Sequence, residues 1–204
     1  MVITEVIELS KSRSKVYLDG EFAFVLYKGE LRTFHIKEGN TLSQEDYIEI
    51  MEIILTKRAK LRAMNLLTAR PYTEFQLRKK LQDGFYPEEI IDCAINYVKS
   101  YHYIDDEQYA RQYIAYKLPT ASKKKIEMDL YQKGISKECM KQVFEELDGE
   151  ETKEQELVLI QKLLEKKRYV AGETDAKETA RIFGFLMRKG FKSEDIRQAM
   201  KTWE

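Results

Sequence analysis

Two adjacent carboxylates stand in the most suggestive stretch of the sequence, "YHYIDDEQYARQYIAYK" at residues 101–117. Asp105 and Asp106 could act as acid and base, or hold a metal ion, if they were partnered and partly buried. Adjacent residues on a helix point in different directions, which disfavours such cooperation. His35 and His102 are isolated, and no histidine or cysteine lies at ligand spacing. The pattern therefore predicts no metal site.

The start of a helix explains the same carboxylates. Asp105 is placed to cap a helix, and Gln108 three residues later completes a capping box, while Asp106 is a favoured acid in the first turn. Two further pairs have the same spacing, Thr73 with Gln76 and Asp175 with Glu178. We therefore interpret Asp105 and Asp106 as helix-start residues.

Other signatures of catalysis are absent from the sequence. It contains no Gly-rich phosphate loop followed by Lys-Ser/Thr, no GxGxxG and no GxSxG. No nucleophile has a plausible base beside it in sequence. We predict a protein that is not an enzyme and that has no catalytic, cofactor-binding or metal-binding residues. The alternative is a nucleic-acid enzyme that uses Asp105 and Asp106.

The composition favours helices over sheets. Of 204 residues, 34% are charged, and there are only 9 glycines and 3 prolines. The formal net charge is zero, so a global basic signal for nucleic acid is absent. Cys93 and Cys139 are far apart, which predicts buried thiols in a reducing cytosol. No apolar run reaches membrane-spanning length, so we expect a soluble cytoplasmic protein.

Charge is nevertheless segregated along the chain. Between Lys57 and Lys80 the basic residues face a single acid, Glu74, and between Glu145 and Glu156 the acidic residues face a single base, Lys153. These runs are either two solvated faces, or one face that binds phosphate and another that avoids it.

The N-terminal region carries strand signals. We predict strands near 2–9, 14–19 and 22–27, with Asp19-Gly20 as a hairpin turn and Ser10–Ser14 as a mobile basic loop. Two strands alone are marginal in water, so the hairpin needs a third strand or a helix to pack on. Ser43 then caps a helix, and no further strand follows.

A repeat follows in the helical region. Three segments share a glycine that is predicted to end a helix in the left-handed conformation, Gly84, Gly134 and Gly190. Six residues beyond each glycine lies an apolar residue, Ile90, Met140 or Ile196, and thirteen beyond it lies Tyr97, Leu147 or Trp203. A leucine precedes each glycine. In the first copy Leu81 lies three positions before its glycine, whereas Leu130 and Leu186 lie four positions before theirs.

A further helix precedes each of these helix pairs, at about 52–68, 106–117 and 152–167. The predicted fold class is mainly α, with three tandem three-helix repeats forming an elongated curved array behind a small N-terminal β-hairpin or β-meander. The predicted domains are 1–42 (the β element), 43–104 (a linking helix and the first repeat), 105–150 and 151–204. No heptad seam indicates a stable dimer, so we expect a monomer.

Three stretches in register resemble the RecX family of RecA regulators: "YTEFQLRKKLQDGFYPEEII", "YHYIDDEQYARQYI" and "IEMDLYQKGISKECMKQVFEEL". The resemblance covers about residues 50–204, and "VYLDGEFAFVL" is similar to the N-terminal extension of RecX proteins from Gram-positive bacteria. The third repeat diverges most. Where relatives tend to have a Lys-Gly pair, this chain has Pro119, which we expect to start the next helix after a kink.

The resemblance implies a function. RecX proteins bind RecA filaments on single-stranded DNA, lie along the filament groove, and inhibit RecA ATPase, strand exchange and filament growth in recombination and SOS repair, without a cofactor. RecA would then be the partner, with direct DNA binding as a further possibility. The alternative is a helical-repeat scaffold that binds protein or nucleic acid and is unrelated to RecA.

The basic helices supply the candidate contacts for RecA or DNA: Lys57, Arg58, Arg62, Arg70, Arg78, Lys79, Lys80, Arg111, Lys117, Lys123, Lys124 and Lys125. Aromatic residues beside basic ones can stack on bases. Four tyrosines are placed in this way, Tyr101, Tyr103, Tyr113 and Tyr116. The alternative is that these tyrosines pack between repeats.

Overall fold

Three antiparallel strands open the structure, which is a computed structural model that describes residues 1–147 and 149–202, with the backbone alone for 149–151 and 202. The strands are β1 (Ile3–Ser10), β2 (Arg13–Leu18) and β3 (Glu21–Tyr27), and they lie in the order β1-β2-β3. The three predicted strands are confirmed.

The two hairpin turns of this sheet are both tight. Asp19 and Gly20 have positive φ values of 49° and 89°, as a two-residue hairpin turn requires, so the Asp-Gly prediction is confirmed. Ser10 pairs with Arg13, which leaves only two residues in the first turn. The predicted mobile loop at Ser10–Ser14 is therefore wrong, because the backbone ladder continues through polar residues at the end of a hairpin.

The sheet packs its inner face on helices. Val16, Phe24 and Leu26 are fully buried in one core with Ile50 and Leu55. A short helix that the sequence did not reveal, α1 (Lys28–Thr33), follows β3 directly. The meander therefore has both supports that were predicted for the hairpin, a third strand and helices.

One long helical segment follows, made of α2 (Gln44–Ile48), a π-helical stretch (Glu49–Leu55) and α3 (Thr56–Ala69). The hydroxyl of Ser43 accepts the N–H of Asp46 at 3.0 Å, so the predicted cap is confirmed. Two separate helices were expected here. Because no glycine or proline lies between these residues, nothing in the sequence ends the first helix.

Two more helices complete the first repeat, α4 (Glu74–Gln82) and α5 (Glu88–Ser100). The Thr73 hydroxyl accepts the N–H of Gln76 at 3.2 Å, and the Gln76 side chain accepts the N–H of Thr73 at 3.4 Å. This predicted capping box is confirmed. The chain divides after Asp105, so that Met1–Asp105 is one compact unit and the residues from Asp106 onward form a second.

The second unit contains the other two repeats. Their helices are α6 (Asp106–Lys117), α7 (Lys123–Gln132) and α8 (Lys137–Glu146), then α9 (Gly149–Lys166), α10 (Ala176–Arg188) and α11 (Ser193–Thr202). Each set of three encloses its own buried cluster, which includes Leu130 in one and Leu186 in the other.

Helix starts in this unit follow hydroxyl and carboxylate caps. Asp175 accepts the N–H groups of Lys177 and Glu178, which confirms the predicted cap. The capping box at Asp105 stays a prediction. Pro119 was expected to start a helix, but α7 begins at Lys123, after the cap Ser122. A hydroxyl can accept an N–H of the first turn and proline cannot, which explains the correction.

The turns between the second and third helices share a left-handed residue. Gly134 and Gly190 have φ values of 87° and 93°, as predicted, but in the first repeat the left-handed residue is Phe85, with a φ of 62°, and not Gly84. Each left-handed residue lies four positions after a buried leucine, Leu81, Leu130 or Leu186. The helix end is therefore set by distance from the leucine.

This corrects the register of the first repeat by one residue. The residue after each left-handed position donates its N–H to the carbonyl of that leucine, from Tyr86 at 3.4 Å, Ile135 at 3.1 Å and Phe191 at 3.4 Å. Ile91, and not Ile90, thus matches Met140 and Ile196, and Val98, and not Tyr97, matches Leu147. Trp203, the third member of that set, lies outside the described residues.

The predicted fold class is confirmed as mainly α, with three tandem three-helix repeats behind an N-terminal sheet. The curvature of the array and the domain boundaries stay predictions. Cys93 is exposed and Cys139 is partly exposed, so the expectation of buried thiols is wrong. Cys93 lies opposite the core face of α5, which presents Ile91, Ala94 and Ile95. None of the described helices is both long and apolar enough to cross a membrane.

Candidate binding surfaces

The paired carboxylates lie at the start of α6. Asp105 is exposed, and Asp106 is the first residue of the helix. Both carboxylates take part in polar or electrostatic contacts. Within residues 1–147 and 149–202, no group of three or more His, Cys, Asp or Glu is placed to hold a metal ion.

Arg58 connects α3 to the N-terminal sheet. Its guanidinium lies 4.5 Å from the centre of the Tyr27 ring, donates to the Val25 carbonyl at 3.2 Å, and forms an ion pair with Glu30. The Arg58 guanidinium is therefore engaged in contacts within the protein itself. Arg58 is therefore mainly an anchor between strand and helix, although sequence reasoning made it a candidate contact residue.

Arg78 is held by carboxylates from two helices. It bonds to Glu74 at 2.9 Å, Glu88 at 3.2 Å and Asp92 at 2.7 Å, and Lys99 also bonds to Glu74 at 2.7 Å. Burial alone would raise the pKa of Glu74, but the bonds from Lys99 and Arg78 lower it below its ordinary value. This cluster joins α4 to α5 and balances the charge of Arg78.

The other five candidates between positions 57 and 80 keep exposed side chains: Lys57, Arg62, Arg70, Lys79 and Lys80. Arg70 lies 4.2 Å from the centre of the Tyr72 ring, and Lys80 lies 3.7 Å from Asp83. Exposed ion pairs of this kind are weak and open easily to a stronger partner. These residues can therefore contact an anionic ligand.

Two basic residues of β2 join this group, and neither is among the candidate contacts predicted from the sequence. Lys15 lies 4.4 Å from the centre of the Phe85 ring and 6.0 Å from that of Phe22. Arg13 acts electrostatically on Tyr86, together with Arg58 and Arg62. We call the set the sheet–helix basic cluster, and its members are Arg13, Lys15, Arg58, Arg62, Phe22, Phe85 and Tyr86.

The pKa of Tyr86 reflects the positive charges of this cluster. Burial raises the pKa of Tyr86 above its ordinary value, while the positive charges of Arg58, Arg62 and Arg13 lower it in part. Phe22 remains 41% exposed, and Lys15 lies 6.0 Å from the centre of its ring. Aromatic faces next to basic side chains are the surface on which single-stranded nucleic acid stacks. Positions 13 and 15 share one face of a strand, and this alternation is the sequence signal that could have identified them.

The five candidates that lie in α6 and α7 are partly neutralised. Arg111 forms ion pairs with Glu107 and, at 2.9 Å, with Glu146, so it joins α6 to α8. Lys125 bonds to Asp129 at 2.6 Å within α7. The remaining three are Lys117, 5.0 Å from the Tyr116 ring centre, Lys123, 4.4 Å from that of Phe144, and the exposed Lys124.

The four candidate tyrosines differ in exposure. Tyr101, Tyr103 and Tyr116 are more than half exposed, and the rings of Tyr101 and Tyr103 are stacked with centres 5.7 Å apart. Tyr113 is partly buried and donates to Asp129 at 3.3 Å. Burial and the charge of Asp129 raise the pKa of Tyr113 to about 12. Stacking of nucleic-acid bases on the exposed tyrosines stays a prediction.

A groove of about 710 Å³ between α7 and α8 is a further surface that the sequence did not reveal. We call it the α7–α8 groove. Its apolar lining is provided by Met128, Tyr131, Met140 and Phe144, and lysines stand along its edges. Met128 and Tyr131 are also more than half exposed, so the groove presents apolar surface to solvent.

Comparison with known proteins identifies the family. Models of the first, second and third three-helix domains of RecX match residues 59–97, 105–143 and 154–200, in that order. The chain is 31% identical to the regulatory protein RecX of Caldanaerobacter subterraneus subsp. tengcongensis, over 98% of both chains. The chain belongs to the RecX family.

Other RecX proteins show the same extent of similarity. The regulatory protein RecX of Clostridium botulinum (strain Eklund 17B / Type B) is 31% identical, over 97% of this chain and 92% of the relative. A crystal structure titled regulatory protein RecX superposes with a TM-score of 0.65 and 24% identity, over 98% of both chains. That structural likeness shows the fold alone. The RecX matches cover each of the three repeats that were predicted from the spacing of their glycines.

Proposed function

We propose that this protein is a monomeric cytoplasmic regulator that binds RecA filaments on single-stranded DNA. It inhibits RecA ATPase, strand exchange and filament growth, and it uses no cofactor. The observation that carries the proposal is the match of all three RecX domains in order, with 31% identity to a relative named regulatory protein RecX along nearly the whole chain. RecX is a regulatory family and not a known enzyme family.

Direct contact with the DNA of the filament is assigned to the sheet–helix basic cluster. Lys15 and Arg62 supply positive charge there, and Phe22 supplies an exposed ring. Phosphate contacts of this kind give affinity without sequence preference, which suits a protein that acts along a filament. Because the formal net charge of the chain is zero, the attraction to DNA comes from this cluster and not from the protein as a whole.

The test is ATP hydrolysis by the cognate RecA on single-stranded DNA, with this protein titrated from far below to equal the RecA concentration. We expect inhibition well below equimolar protein, as action on growing filaments requires. An unchanged rate across the titration would contradict the proposal. If the chain were a scaffold unrelated to RecA, its protein binding would be insensitive to DNA.

The DNA contact has its own test. Arg62→Glu should weaken binding of a labelled oligothymidylate about tenfold at low salt. The slope of log K against log salt should fall by about one, as the loss of one phosphate contact requires. The matched control is Lys177→Glu, a charge reversal at an exposed residue of α10 outside all these surfaces. Fluorescence anisotropy over a range of KCl concentrations measures both. Equal losses in the two variants would show that only overall charge matters.

A further inference from the structure

The first two repeats carry opposite charges at four matched positions. The caps Thr73 and Ser122, and the left-handed residues Phe85 and Gly134, align the two repeats with an offset of 49 residues. Under this alignment Arg78 becomes Glu127. Its three carboxylate partners become lysines, with Glu74 replaced by Lys123, Glu88 by Lys137 and Asp92 by Lys141.

In the first repeat the residues at these four positions form salt bridges between α4 and α5. Arg78 lies between carboxylates of α4 and α5, at distances of 2.7 to 3.2 Å. Each carboxylate of this cluster pairs with a cation of the same repeat, so its charge is balanced within the repeat. This corner presents salt bridges to solvent.

In the second repeat the matched groups do not form such a cluster. Among the described residues, Lys123 and Lys137 have no ion-pair partner, and Lys141 pairs with Glu145 at 3.6 Å. The α7–α8 groove lies in this corner. The edges of the groove carry four lysines and two glutamates, Lys123, Lys124, Lys137, Lys141, Glu127 and Glu145. The edges therefore have an excess of two positive charges.

The floor of the groove is apolar. Met140 and Phe144 lie at its base and are mostly buried, while Met128 and Tyr131 stand along α7 with 51% and 63% of their surface exposed. Methionine side chains adapt to different apolar partners, so a groove lined by two of them suits a segment from another protein. Two neighbouring helices also form a natural seat for a third helix.

We propose that the α7–α8 groove docks an acidic amphipathic segment of a partner protein. The apolar side chains of that segment cover Met128 and Tyr131, and its carboxylates pair with Lys123, Lys137 and Lys141. The partner thus supplies the negative charges that the first repeat supplies from its own helices. Nucleic acid is the other negatively charged occupant, and the test below distinguishes it from an acidic protein segment. The inference does not depend on RecA being the partner.

The test uses the full chain with methyl-¹³C methionine and a synthetic helical peptide of about five turns. The peptide carries glutamates on one face and leucines and phenylalanines on the other. We expect saturable shifts of the Met128 and Met140 methyl resonances, which are assigned with Met128→Leu and Met140→Leu. A peptide with lysines in place of the glutamates should cause no shift.

Two further variants measure the role of charge. Lys137→Glu with Lys141→Glu should weaken peptide binding at least tenfold, and Lys177→Glu should leave it unchanged. Retained dispersion of the amide resonances shows that each variant is folded. Equal binding of the acidic and basic peptides, or shifts of the two methionines by oligothymidylate in place of the peptide, would overturn the proposal.

Discussion

The first and second repeats have the same frame and use the corner between their second and third helices in opposite ways. Both start the second helix at a buried hydroxyl cap, Thr73 or Ser122, and both place a left-handed residue four positions after a buried leucine. In the first repeat the corner is closed by the salt bridges of Arg78. In the second it is an open groove with lysines along its edges.

This difference separates what the fold needs from what varies on its surface. Buried leucines, caps and left-handed turns are shared because each contributes about 1 kcal/mol or more to stability. Exposed ion pairs contribute between zero and about 1 kcal/mol, so their charges can be reversed without loss of the frame. The corner charges are therefore available for a different role in each repeat.

The largest effect that tests this comparison is expected at Arg78. Arg78→Met should lower the local stability of α4 and α5 by roughly 1–2 kcal/mol, because Glu88 and Asp92 would lose their cation and Glu74 would keep only Lys99. Its counterpart, Glu127→Gln, should change the stability of α7 and α8 by less than about 0.5 kcal/mol. Native-state hydrogen exchange of the helix amides measures each region by itself. Similar losses at both sites would contradict the comparison.

The shared turn provides a smaller effect. Gly134→Ala should lower the stability of the second repeat by about 1 kcal/mol, because a side chain resists the φ of 87° at this position. The control is Gly29→Ala in α1, where the added methyl group would meet nothing within 4 Å beyond its own helix backbone and chain neighbours, and no left-handed backbone is required. Urea unfolding should show that change as neutral or stabilising. If Gly134→Ala were equally harmless, the left-handed turn would not be a shared requirement.

The smallest expected effect concerns the carboxylate at the start of each second helix. Glu74 lies in the first turn of α4, whereas α7 begins at Lys123, whose N–H donates at 2.8 Å to Glu156 of α9. The pKa of Glu74 is lowered overall, although burial opposes this, because Lys99 and Arg78 bond to its carboxylate. The pKa of Glu156 is raised by burial and by the nearby Asp195, although the N–H of Lys123 opposes this.

These opposite pKa shifts predict opposite pH dependences. The stability from Glu74 is present above its unfolded pKa of about 4.5 and is lost as the pH falls through its lower folded pKa. The stability from Glu156 is present below its unfolded pKa of about 4.5 and is lost as the pH rises through its raised folded pKa. Glu74→Gln should therefore destabilise the protein at pH 7, and Glu156→Gln should stabilise it, with both effects smaller in acid. Urea unfolding at both pH values measures this, and effects of the same sign would refute it.

Much of the local structure could be predicted from short-range patterns. The Asp19-Gly20 turn, the cap at Ser43 and the capping box at Thr73 depend on residues within four positions of one another, and all three predictions are confirmed. The repeat was also visible, but its first copy was misaligned by one residue. A glycine looked like the left-handed position, while the distance from Leu81 places that conformation at Phe85.

The candidate contact residues were less predictable, because charge in a sequence does not show which cations already have partners. Arg58 bonds to an acid 28 residues away, Arg111 to acids 4 and 35 residues away, and Arg78 to acids 4, 10 and 14 residues away. Arg13 was predicted in a loop and Lys15 in a strand, yet both stand in β2 beside aromatic rings of the sheet and of the turn between α4 and α5.

The sequence by itself therefore determined the elements of this protein: a β-meander, three helical repeats, their caps and the family to which they belong. Each of these depends on neighbouring residues or on a regular spacing of buried ones. Only the tertiary structure decided which charges are satisfied within the fold, and that α7 and α8 leave an apolar groove between lysines. Such features depend on side chains that meet across helices, and neither their distances nor their exposure is encoded in any short stretch of the chain.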